Sequence, residues 1–185
     1  IIEPNHITVV DTDLVMVSCN GDSTGTATAN VSGGTPGYTY SWNTNPITVW
    51  NQTTPTATGL WAGTFTCTVT DANGCPYSLN PISVTITEPA AALTIGGTDS
   101  TIIICNGDST GTATVTNVSG GTPGYTYLWS PGGQTTNPAT GLTAGIYTCI
   151  VTDTNGCSDT SVSIPVTESQ FPLIVTPSSS NVSCN

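Results

Sequence analysis

The chain has 185 residues and a formal net charge of −11, because its eleven Asp and Glu residues are accompanied by no Lys and no Arg. We expect no nucleic-acid partner, since neutralisation of phosphates by Lys or Arg is the main driving term for that binding. No stretch approaches the roughly 20 apolar residues of a membrane helix, so we expect no membrane insertion in this sequence.

The sequence repeats itself. Residues 20–28 recur unchanged as 106–114, and residues 30–40 recur as 117–127. Self-similarity of this kind is the signature of a repeat architecture. The predicted division is the end of a preceding repeat at 1–4, a first repeat at 5–89, a second repeat at 90–169 and the start of a following repeat at 170–185.

The first two predicted strands lie on either side of an Asn-Gly-Asp turn. The first falls within residues 7–19, where Val15, Val17 and Cys19 are predicted to share one face at period two. The second covers residues 26–31 and places Ala27, Ala29 and Val31 on one side. The second repeat has one additional residue in this strand, which predicts a β-bulge between Val115 and Val118.

The third strand alternates aromatic and small polar residues from Tyr38 to Trp42. Trp42 and its counterpart Trp129 are the predicted core centres, because a large buried ring dominates the energetics of a small core. Residues 45–52 differ between the repeats, which predicts a surface hairpin.

The clearest strand covers residues 63–71, where Phe65, Cys67 and Val69 alternate with Thr. It ends at an Asp-Ala-Asn-Gly sequence, which is typical of a hairpin with a positive φ angle. The last strand runs to Glu88. Six or seven short strands in about 85 residues, with a Trp on the third, predict an all-β immunoglobulin-like sandwich. Two such sandwiches in series would form a rod.

These motifs occur in a particular order in both repeats. The order is Cys-Asn-Gly (preceded by Val-Ser in the first repeat), Gly-Thr-Ala-Thr, Ser-Gly-Gly-Thr-Pro-Gly-Tyr-Thr-Tyr-x-Trp, Val-Thr-Asp-x-Asn-Gly-Cys and Thr-Glu. It resembles the SprB-type repeat of giant surface proteins in gliding and related Bacteroidota. The resemblance implies an extracellular adhesin or filament on the bacterial cell surface, exported by the type IX route, with tandem immunoglobulin-like modules similar to the polycystic-kidney-disease type. The sequence departs from the family pattern at Cys67 and Cys149.

The seven cysteines recur in register, which indicates an oxidising compartment. The resemblance favours the pairs Cys19–Cys75 and Cys105–Cys157. An immunoglobulin-like topology would instead place the turns at Cys19 and Cys75 at opposite ends, so Cys19–Cys67 and Cys105–Cys149 stay open as rival pairs. The cysteine left over in each repeat is expected to be a buried thiol, with a link between neighbouring repeats or chains as the alternative.

The acidic turns offer a weak set of calcium ligands: Asp71, Asn73, Asp153 and Asn155. The later ligands and terminal Glu of a calcium loop are missing, so bonding within the turn is the favoured role and we expect no cofactor. Short motifs also predict glycosylation. The candidates are Ser23, Thr24, Ser100 and Ser109 for O-linked sugars and Asn30, Asn51 and Asn117 for N-linked sugars.

Catalysis finds no support, because the chain lacks Lys and its single histidine, His6, lies at an unrepeated position. We therefore expect a structural or adhesive segment of a surface filament, linked to gliding motility or surface attachment, and not an enzyme. Its expected partners are neighbouring repeats and identical chains in a fibre. The alternative is an array that captures surface polysaccharide, with Trp50 and Trp61 stacking on sugars.

Overall fold

The structure, a computed structural model, describes residues 6–43, 52–77 and 81–169. It divides into two compact units. Unit 1 holds the described residues up to Leu93 together with two turns from the second repeat, Gly120–Gly124 and Asp153–Cys157. Unit 2 holds the other described residues. The repeat boundaries of the sequence stay a prediction.

Unit 1 contains two antiparallel sheets, of strand order β1-β2-β4 and β3-β5-β6. The alternation of small apolar residues and Thr builds these strands, because β-branched Thr suits the exposed side of a pleated sheet. The strands are β1 (Thr8–Val15), β2 (Gly25–Ser32), β3 (Thr39–Asn43), β4 (Thr56–Leu60), β5 (Gly63–Thr70) and β6 (Ile82–Ile86).

Unit 2 has one sheet of order β10-β8-β7 and another in which β11 pairs with β9, β12 and β13. Its pairs are antiparallel, and no helix occurs in the described parts of the chain. The predicted all-β immunoglobulin-like sandwich is confirmed. The strands are β7 (Thr94–Ser100), β8 (Gly111–Ser119), β9 (Thr126–Ser130), β10 (Ala139–Leu142), β11 (Gly145–Thr152), β12 (Ser158–Thr160) and β13 (Ile164–Val166).

Trp42 lies at the centre of the unit 1 core and is fully buried. Its indole Nε1 donates a hydrogen bond to the Thr54 carbonyl at 3.1 Å, so burial leaves no polar atom of the ring unsatisfied. Burial of 150–250 Å² of aromatic surface is worth about 4–6 kcal/mol of transfer free energy. Trp129 has the same place in unit 2, where it donates to the Thr136 carbonyl at 2.9 Å. Both predicted core centres are confirmed.

Strand β5 has the predicted alternation. Phe65, Cys67 and Val69 are buried, and β5 pairs with β3 on one side and with β6 on the other. The turn that follows it carries its positive φ at Gly74, at 80°. The predicted variable hairpin falls almost entirely on residues 44–51, outside the described part of the chain.

Two details of the predicted strands are wrong. Val15 is 55% exposed, whereas Val17 is buried, because β1 ends at Val15 and the alternation does not continue through the turn. The additional residue in β8 causes no register shift, since the pairs on both sides of Asn117 keep one register and its backbone adopts a φ of 52° instead. Register shifts occur elsewhere: between Val9 and Asp11 in β1, between Gly25 and Thr26 in β2, and between Thr140 and Leu142 in β10.

Candidate functional site

The turn that contains Cys19 is held by the end of its own repeat. Here we call residues Cys19–Asp22 and their equivalents Cys105–Asp108 the Cys-Asn-Gly turns; each closes with a hydrogen bond from the Asp N–H to the Cys carbonyl at 3.1 Å. In the first repeat, the Gly21 N–H donates to the Glu88 carboxylate at 2.6 Å. The Asn20 amide donates to the Pro89 carbonyl at 2.8 Å.

The second repeat uses the same arrangement. The Gly107 N–H donates to the Glu168 carboxylate at 2.8 Å, and the Asn106 amide donates to the Ser169 carbonyl at 3.3 Å. The sequence prediction missed the two glutamates as turn partners. Recurrence of Thr-Glu at the end of each repeat was the available signal.

The second kind of turn is built on a buried aspartate. We call Asp71–Cys75 and Asp153–Cys157 the Asp-Cys turns. The Asp71 Oδ1 accepts hydrogen bonds from the N–H groups of Asn73 at 3.0 Å and Cys75 at 2.9 Å, while its Oδ2 accepts one from Thr35 at 3.0 Å. The N–H of Thr35 and then that of Cys75 are the main causes that hold the pKa of Asp71 below its ordinary value.

Asp153 repeats this pattern. Its carboxylate accepts from the N–H groups of Thr122 at 2.8 Å, Asn155 at 2.9 Å and Cys157 at 2.9 Å. The Thr122 N–H contributes most to lowering the pKa of Asp153. Both carboxylates therefore perform turn bonding. Within the described ranges no three His, Cys, Asp or Glu side chains are placed to hold a metal ion.

A disulfide joins one turn of each kind. Cys19 Sγ and Cys157 Sγ are bonded, with a Cα–Cα distance of 5.7 Å, and both residues belong to unit 1. The Asn155 side-chain amide also donates to the Ser18 carbonyl at 3.1 Å, immediately before Cys19. The bond connects a Cys-Asn-Gly turn of the first sequence repeat to an Asp-Cys turn of the second.

This pairing corrects the predicted Cys19–Cys75 and Cys105–Cys157, because Cys75 and Cys105 are free and exposed. The end of β6, next to the Cys19 turn, pairs with Gly63 at the start of β5, whereas Cys75 follows the end of β5. Eight residues of strand span about 24 Å, far beyond the roughly 7 Å limit between bonded Cα atoms. The two turns are therefore at opposite ends of β5, as the topological objection to this pair requires.

The rival pairs Cys19–Cys67 and Cys105–Cys149 are also wrong, because Cys67 and Cys149 are buried free thiols. Burial raises the pKa of the Cys67 thiol to about 11 and raises the pKa of Cys149 as well. These two residues pack as small hydrophobic side chains in the cores of their units.

The glycosylation candidates differ in their surroundings. Ser23, Thr24, Ser109 and Asn117 are exposed. The Ser100 hydroxyl donates to the Pro165 carbonyl at 2.8 Å, and the Asn30 amide donates to Asp13 at 2.9 Å. Asn51 lies outside the described residues. All of these acceptors stay predictions.

The two tryptophans proposed to stack on sugars also stay predictions. Trp61 is half-buried and packs against the unit 1 core, while Trp50 lies outside the described residues.

The two-sheet architecture around a central tryptophan defines the class of this protein as an immunoglobulin-like β-sandwich repeat. Residues 12–46 and 97–134 match the family model of the SprB repeat, which is consistent with a SprB-type repeat at each segment. The matches support an adhesin-like repeat of a cell-surface or extracellular protein. In the described residues, no helix is long and apolar enough to cross a membrane.

Three solved structures are similar to this chain at low identity. A C-terminal 282-residue fragment of intimin, in complex with the intimin-binding domain of the translocated intimin receptor, is 12% identical with a TM-score of 0.45; the match covers 86% of this chain and 64% of that one. The N-terminal eight immunoglobulin domains of Down syndrome cell adhesion molecule are 12% identical with a TM-score of 0.43; the match covers 90% of this chain and 25% of that one. The BSP domain of a biofilm-associated protein is 16% identical with a TM-score of 0.26; the match covers 90% of this chain and 30% of that one.

The chain thus spans less than two thirds of each of these solved structures. No curated protein sequence matches it.

Proposed function

We propose that this chain is a structural and adhesive segment of a long extracellular filament or adhesin on a bacterial surface. The role is mechanical: the repeats supply reach, and each sandwich resists unfolding. Gliding motility or attachment to a surface is the process that such a filament would serve, with export by the type IX route. The two SprB-type repeat matches support this proposal.

The observation that carries the mechanical role is the disulfide between Cys19 and Cys157. It closes a loop with a sequence separation of 138 residues, which contains most strands of both repeats. Tension applied at the chain ends passes through the covalent bond, so the strands inside the loop are not pulled apart. A segment built for tension benefits from this arrangement, whereas a segment that only presents a binding surface gains nothing from it.

The absence of catalysis is part of the same proposal. Asp71 and Asp153 are the buried acids of the described chain, and their oxygens accept backbone N–H groups of their own turns. A general base needs an accessible lone pair near a substrate, which neither carboxylate offers.

Pulling a single oxidised chain by its ends in an atomic force microscope tests the function. We expect discrete unfolding peaks and recovery of the same peaks after relaxation, without any added ligand. Extension at negligible force, together with specific binding to a glycan array, would instead identify a sugar-capturing module and overturn the mechanical role.

A further inference from the structure

We propose that Cys75 and Cys105 each form a disulfide of the kind that joins Cys19 to Cys157. Each forms a disulfide with the complementary turn of another repeat of this type. Cys105, in a Cys-Asn-Gly turn, bonds the cysteine of an Asp-Cys turn. Cys75, in an Asp-Cys turn, bonds the cysteine of a Cys-Asn-Gly turn.

The bonded and free Cys-Asn-Gly turns have the same construction. In both, the Asp N–H bonds the Cys carbonyl at 3.1 Å. In both, the glutamate one residue before the end of the predicted repeat accepts the Gly N–H. Cys105 is thus held in the same local geometry as Cys19, which is bonded.

The two Asp-Cys turns also match each other in construction. The Asn155 amide that donates to the Ser18 carbonyl beside the disulfide also donates to the Thr122 hydroxyl at 2.9 Å. The Asn73 amide donates to the equivalent Thr35 hydroxyl at 2.8 Å. Its second N–H is therefore placed as that of Asn155 is, ready to donate to a carbonyl of a docked turn.

The free cysteines differ from the bonded ones in exposure. Cys19 and Cys157 are half-buried, whereas their free counterparts are exposed. Ile102 and Ile104, which precede the free Cys105, are 70% and 82% exposed. A complementary turn bonded to Cys105 would cover apolar surface that is otherwise left in water.

The pairing is heterologous, since a turn of one kind joins a turn of the other kind. Heterologous contacts that do not close into a ring produce open chains. When Cys105 of one copy bonds Cys75 of another, each copy keeps one free cysteine. Further copies could therefore add from head to tail.

Bond formation needs an oxidant, for which glutathione disulfide serves. The Cys105 thiolate attacks one sulfur of glutathione disulfide, forms a mixed disulfide and expels one glutathione thiolate. The Cys75 thiolate of a second copy then attacks the Cys105 sulfur and expels the second glutathione. Two protein thiols are oxidised, one glutathione disulfide is reduced to two thiols, and the two thiol protons end on the glutathione.

The test uses the full chain with Cys184→Ser, so that this additional cysteine contributes no thiol. The protein is oxidised with glutathione disulfide, separated on a non-reducing gel and digested with an endoproteinase that cleaves before Asp, because trypsin has no site. The six cysteine-bearing peptides are then distinct, with one cysteine in each: 13–21, 22–70, 71–98, 99–107, 108–152 and 153–158.

We expect a ladder of multiples of the chain mass, with peptide 71–98 linked to 99–107 and peptide 13–21 linked to 153–158. Either Cys75→Ser or Cys105→Ser should abolish the ladder, and an equimolar mixture of the two variants should restore only a dimer. Equal amounts of 71–98 and 99–107 self-linked dimers, or a monomer with no new link, would overturn the proposal. The assay reads thiol pairing alone, so its failure is distinct from a failure of the mechanical role.

Discussion

The disulfide between Cys19 and Cys157 sets how far the chain can be stretched. Its loop has a sequence separation of 138 residues, and an extended chain spans about 3.3–3.6 Å per residue. Reduction should therefore add about 460–500 Å to the contour length of the fully unfolded chain. The perturbation is addition of a reductant, or the substitution Cys157→Ser.

The measurement is single-molecule pulling from both ends until the last unfolding event. The matched control is Cys75→Ser, which removes the equivalent but free cysteine of the first repeat and should leave the oxidised length unchanged. Two separate loops, Cys19–Cys75 and Cys105–Cys157, would enclose only about 370 Å of contour length. An increase in contour length near that value on reduction, or no increase, would refute the pairing. It would also refute the inference that the load bypasses the strands within the loop.

Three further predictions concern stability and reactivity. Trp129→Ala should lower the free energy of unfolding by about 3–5 kcal/mol in chemical denaturation, because the emptied site leaves a cavity in the core. The lowered pKa of Asp71 gives stability that is present above the unfolded-state pKa and lost as the pH falls through the folded-state pKa; acid titration of Asp71→Asn should lack this part of the transition. In Cys184→Ser, Cys75 and Cys105 should react rapidly with a thiol reagent at neutral pH, whereas Cys67, with a pKa of about 11, should react only on unfolding.

The strands were predictable from sequence because their signal is local. In β5, apolar residues alternate with Thr, and burial follows that alternation from Phe65 to Val69. The prediction failed at Val15, where β1 ends and the chain enters a turn. Period-two reasoning assumes that the strand continues, and the end of a strand depends on pairing with β2, which the local pattern does not encode.

The disulfide map was not predictable in the same way, because it depends on which ends of the sheet meet. The resemblance to a repeat family suggested a bond within each repeat. The topology argues against this, since the two turns lie at opposite ends of β5. The clamp on the Cys19 turn by Glu88 was missed for a related reason, as a separation of 67 residues along the chain gives no local pattern.

The length of β5 also explains why a cysteine at each end of the sandwich leads to bonds beyond the repeat. A bonded pair must bring its Cα atoms within about 7 Å, and a strand of eight residues holds the two turns about 24 Å apart. Neither cysteine can reach the other without unfolding β5, and the buried Cys67 within β5 is enclosed by the core. The partners proposed for the exposed cysteines are turns of other repeats, and the bond between Cys19 and Cys157 is a pair of this kind.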